Sequence, residues 1–162
     1  MVSDAAIATV VALVVTASFP FYLYGAWIII ESDPVTWAVL TRHLKFIVVG
    51  LLLTTVPFLM WMLPRFIDHF GGGLAAVHAF LGLQAYAMLI LALTGIIRIF
   101  QVKRAHDLYG TPNPEMDISE LHENMDAWRW RLRAGVAGYI VFWLLAWTLG
   151  VARFFVLHTD YL

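Results

Sequence analysis

Six histidines carry most of the chemical potential of this chain. Cysteine is absent, which removes disulfides, thiolate metal sites, iron–sulfur clusters and covalently attached c-type haem from consideration. A metal or porphyrin would have to be held by histidine, methionine, tyrosine or carboxylate. His43, His106 and His122 fall on one side of the hydrophobic blocks of the chain, and His69, His78 and His158 on the other. His43 and His78 each open a segment, and the two segments run antiparallel, so these histidines lie at opposite faces and cannot share one iron.

The neighbours of two histidines sharpen the question. At 100° per residue, as a helix advances, His43 shares a stripe with Gly50, Thr54, Pro57 and Trp61, a small and partly polar face that reads as inward. Pro57 removes one amide and displaces the carbonyl of Leu53, which predicts a kink. His78 shares its stripe with Gly82, Ala85, Leu89, Ala92 and Ile96. Either a porphyrin lies against Gly82 with His78 as its axial ligand, or the small residues serve close helix packing.

Two polar clusters could hold a metal without haem. One joins Asp68, His69, His158 and Asp160, with His158 and Asp160 as the metal candidates; the other joins His106, Asp107, Glu120, His122 and Glu123. Neither has a ligand spacing of its own. No Ser-His-Asp set, phosphate-cradling glycine loop or zinc-protease motif is present, which points away from an enzyme.

The elements that must position these residues are apolar and long. The chain has 162 residues, 62% hydrophobic and 13% charged, with a mean hydropathy of +0.81; soluble domains are about half apolar and a quarter charged. The apolar residues gather into blocks of about 20, the length that crosses a hydrocarbon core. Spans are expected over 5–30, 42–65, 74–98 and 133–155, most of them bracketed by arginine that can snorkel to headgroups. The first lacks a basic lead and a small-residue cleavage site, and reads as a retained helix.

Between the spans, Glu31-Ser32-Asp33-Pro34 and Gly71-Gly72-Gly73 are turn signals. The longer connection, 101–131, contains Asp117-x-x-Glu120, which resembles a capping box. Ile118, Leu121, Met125, Trp128 and Leu132 then form one apolar stripe, predicting an amphipathic helix along the membrane surface before the last span. In the last span Ala134-x-x-x-Gly138 fits small-residue helix packing, and Tyr139, Trp143 and Trp147 recur every four residues. Eight of the ten lysines and arginines fall on the side of the 31–41 and 101–131 connections, only Arg65 and Arg153 on the other. The positive-inside rule places the crowded side in the cytoplasm and both termini outside.

Arg42-His43, His69 after the second span, His78 opening the third, Thr94-Gly95 near its end, and His122 before a Trp/Arg-rich last helix form an ordered set. In this set the chain resembles the CtaM/YozB-like membrane proteins over roughly residues 41 to 155. That resemblance implies a small four-helix protein tied to maturation of haem-copper cytochrome oxidase, with His43, His69, His78 and His122 as the matching histidines. The chain departs from the pattern in a longer, acidic connection before the last span. The segment His78-Ala79-Phe80-Leu81-Gly82 is also similar to the four-helix b-type cytochromes of the ascorbate and ferric reductase kind. These imply a haem near each face, held by His43 with His122 on one side and by His78 with His69 or His158 on the other.

The sequence therefore predicts an all-α bundle of four transmembrane helices in a cell membrane. Its expected role is to support respiratory haem or oxidase assembly, binding haem b or metal transiently through His43, His69, His78 and His122, with Gly50 and Gly82 making room. A dihaem cytochrome and a cofactor-free structural subunit are the alternatives. The expected partners are the lipid bilayer and a respiratory oxidase or other membrane subunits, with no nucleic acid, since no basic run occurs.

Overall fold

The computed structural model describes residues 3–65, 72–111, 113 and 116–158, the side chain of residue 158 excepted. Asp68, His69 and Asp160, and the His158 side chain, lie outside the described residues. The protein is all-helical, with four helical stretches long and apolar enough to cross a membrane: Asp4–Glu31, Trp37–Met62, Gly73–Ala105 and Met125–Leu157. It is a multi-pass membrane architecture.

The first stretch is two helices, α1 (Asp4–Thr16) and α2 (Ser18–Glu31). Pro20 lies four residues after Thr16; it offers no amide to that carbonyl and its ring displaces it, so the ladder breaks at Ala17. The Ser18 hydroxyl, fully buried, donates to the Val15 carbonyl at 2.7 Å and holds the joint.

Helix α3 (Trp37–Pro57) starts at Thr36, whose hydroxyl accepts from the Val39 amide at 3.4 Å. Pro57 does not end the span. The chain continues as a π-helical turn, Phe58–Met62, in which the Leu63 amide reaches the Phe58 carbonyl five residues back.

Helix α4 (Gly73–Ala105) ends with Asp107 in the left-handed region (φ 51°). There the Leu108 amide bonds to the Lys103 carbonyl and that of Asp107 to Arg104, a Schellman ending with Leu108 buried. The expected surface helix begins at Asp117, whose carboxylate accepts from the Ser119 amide, but it is a single 3₁₀ turn, Ile118–Leu121. The rest of the apolar stripe belongs to α5 (Met125–His158). Met125 is fully buried, so this face makes core rather than lying in the headgroups.

Packing divides the bundle in two. Helix α4 packs against α5 along its length, and α2 against α3. Small residues set the approach: a Cβ on Gly135 would lie 2.5 Å from the Ala92 nitrogen, and one on Gly95 2.4 Å from the Trp128 carbonyl oxygen. The two hairpins meet instead through long side chains. Phe19 stacks edge-on against Trp143 and Trp147, Tyr22 against Tyr139, and Phe58 lies 5.0 Å from Tyr86.

Hydroxyls complete this seam. Tyr22 meets Thr54 at 3.0 Å and Tyr139 at 2.9 Å, and Tyr86 donates to Thr55 at 3.1 Å. At the Gln101 end, the Trp37 amide donates to the Tyr109 carbonyl, and the rings of Trp37, Phe100 and Tyr109 form one cluster. Burial pushes the Tyr109 phenol above its ordinary range.

Candidate functional site

A cavity of about 340 Å³ opens where α1, the π-helical turn, α4 and α5 diverge at the Arg65 end of the bundle. Three sequence features create it. The break at Ala17 lets α1 leave α2, the widened turn after Pro57 brings Phe58, Trp61 and Met62 onto its wall, and Gly82 keeps α4 low, with no atom within 4 Å of where a Cβ would stand. Trp147 forms another wall and donates its indole N–H to the Thr16 hydroxyl at 3.0 Å, tying α1 to α5.

The walls are apolar and the outer end is charged. Arg65 lies over the Trp61 ring, 3.4 Å from its centroid, and pairs with Asp4 at 3.6 Å. Arg153 bonds to His78 Nδ1 at 3.2 Å. Among the described residues this end thus presents two guanidiniums and one carboxylate, and a guanidinium can pair with an anion as a fork.

The ring nitrogens of His78 show how far these residues suit a haem. A guanidinium only donates, so Nδ1 accepts and the ring proton belongs on Nε2. Nε2 itself faces Gly150, where a Cβ would come within 3.0 Å. A metal-ligating histidine has the opposite arrangement, with Nδ1–H given to an acceptor and Nε2 bare. The described residues thus fit a porphyrin through wall and charge, and do not offer a fixed bis-histidine iron.

The other expected residues are dispersed. His43 gives its Nδ1–H to the Gly25 carbonyl of α2 at 2.8 Å, the kind of bond by which a metal-ligating histidine is oriented. His122 accepts the Asn124 amide at Nδ1, 3.0 Å away, and its ring stacks 4.4 Å from Trp128, so it caps α5. His43 and His122 are therefore held by different hairpins. The space over Gly50 is taken by the Tyr22 ring, 2.9 Å from a Cβ there, whereas the space over Gly82 is open. Among the described residues no three histidines or carboxylates come together as a metal group.

Arg153, Arg65 and Trp147 were legible only as membrane anchors or packing residues. The available signal was that Arg153 and His78 both sit one turn inside the same end of antiparallel helices.

The chain belongs to the family described as a domain of unknown function, DUF7321. The family model matches residues 4–159. The DUF7321 unit thus runs from the first turn of α1 to the end of α5, and the cavity with all its described lining residues falls within it. No curated protein and no solved structure matches the chain.

Proposed function

We propose that this chain is a non-enzymatic membrane protein that transiently holds an amphipathic, carboxylate-bearing ring compound of the haem class in support of respiratory oxidase assembly. The cavity beside Gly82 carries this reading: aromatic walls of Phe58, Trp61 and Trp147, with Arg65 and Arg153 also in its lining. A flat apolar ring suits the walls, and its carboxylates suit the guanidiniums, which bind such groups as a fork. The bond from Arg153 to His78 favours a holder over a permanent b-type cytochrome, because ligation through His78 would first require that bond to open. The resemblance to oxidase-maturation proteins supports the setting. The distribution of lysine and arginine supports an orientation in which this cavity faces outward and the His43 end faces the cytoplasm.

Titration of the detergent-purified protein with hemin tests the proposal, read by the Soret band and by quenching of Trp61 and Trp147 fluorescence. Saturable quenching is expected, weakened about tenfold or more (1.4 kcal/mol) by Gly82→Leu or Arg153→Gln. Quenching no greater than in a micelle control, or unchanged by Gly82→Leu, would overturn it.

A further inference from the structure

A second cavity, about 420 Å³, lies at the opposite end of the bundle, between the last turn of α2 and the first turns of α3. Tyr24, Trp27, Glu31, Val39 and Arg42 are among its lining residues. We infer that it is a binding site for a zwitterionic phospholipid headgroup with a primary ammonium, the phosphate on Arg42 and the ammonium between Glu31 and Trp27.

Charge complementarity carries the inference. Glu31 and Arg42 line one cavity, yet among the described residues they form no ion pair with each other. A ligand bearing both charges satisfies both side chains at once, where an anionic headgroup would set its negative charge against Glu31. Arg42 is already oriented: it donates through Nη2 to the Tyr24 hydroxyl and its guanidinium lies 5.6 Å from the Tyr24 ring centroid. Four of its five N–H donors remain for a phosphate.

The ammonium end has two recognition elements. Trp27 lines the cavity and is 56% exposed, so its ring is accessible to a cation. The Glu31 carboxylate accepts hydrogen bonds, which a primary ammonium can give and a quaternary one cannot. Ser32 does not compete, since its hydroxyl is committed to the Ile28 carbonyl at 2.6 Å. The place is right as well, because the ends of two spans meet the bilayer at headgroup depth.

Native mass spectrometry of the full chain in detergent, offered equal phosphatidylethanolamine, phosphatidylcholine and phosphatidylglycerol of matched tails, tests this. The wild type is expected to retain phosphatidylethanolamine about fivefold over either competitor, the scale of one net hydrogen bond from the ammonium to Glu31. Glu31→Gln should erase that preference, Arg42→Gln should lose all three lipids, and Arg42→Lys should keep binding, which separates loss of charge from misfolding. A preference for phosphatidylglycerol, equal retention of all three lipids, or an ethanolamine preference that survives Glu31→Gln overturns the inference.

Discussion

Tyr22 and Tyr139 meet hydroxyl to hydroxyl at 2.9 Å, one from each helical hairpin, at mid-depth in the bundle. No water of the hydrocarbon core could replace that bond. Tyr22 also reaches Thr54 at 3.0 Å, while Thr54 stays bonded to its own helix through the Gly50 and Leu51 carbonyls. Tyr22→Phe thus breaks two bonds and Tyr139→Phe one. Each bond in a membrane interior is worth about 0.6 kcal/mol, with a ceiling near 1.7. In detergent unfolding assays Tyr22→Phe should be the more costly, and the double variant should cost less than the sum of the two singles.

The helices themselves were plain in the sequence, because blocks of apolar residues of bilayer length have no alternative in water. The inward face of α3 was legible too: Gly50 and Thr54 are its buried residues. What the residues did not disclose is which helix each face meets. Gly50 and Gly82 look alike on paper, and only the packing fills one with Tyr22 and leaves the other beside a cavity. The joint at Ala17 depends on Pro20 and Ser18 within a run that carries no charge, so hydropathy passes over it. The surface helix failed to form as one piece because His122 adopts an extended backbone (φ −162°) and turns its ring nitrogen to cap α5.

Gly135 and Gly82 should respond to alanine in opposite ways. A Cβ on Gly135 would stand 2.5 Å from the Ala92 nitrogen and 2.7 Å from its Cα, backbone atoms that move only if α4 and α5 separate. Gly135→Ala should destabilise by about 1–3 kcal/mol, the usual cost of overpacking. Gly82→Ala meets nothing and gains helix propensity, so it should be neutral or stabilising by up to about 1 kcal/mol. Equilibrium unfolding of both variants checks the pair, and equal losses would contradict the packing described for α4 and α5.

His122 should prove replaceable by another cap. Its Nδ1 accepts the Asn124 amide, a task that a short amide side chain performs well. His122→Ala should cost about 0.5–2 kcal/mol, and His122→Asn should recover much of that, short of the ring stacking on Trp128. If hemin binding is also measured, both variants should match the wild type, because His122 lies outside the residues lining the Gly82 cavity.

Orientation has a clean test in a chain without cysteine, since any cysteine introduced is the sole reactive thiol. Gly72 is exposed, with no atom within 4 Å of a Cβ and an extended backbone (φ −146°) that any residue adopts. Glu123 is exposed at the other end. The arginine and lysine excess at the Glu123 end should keep it in the cytoplasm. In intact cells a membrane-impermeant maleimide should therefore label Gly72→Cys, and label Glu123→Cys only after permeabilisation. The reverse pattern would turn the Gly82 cavity toward the cytoplasm, where a ligand held between Arg65 and Arg153 would have to be delivered from the opposite side of the membrane.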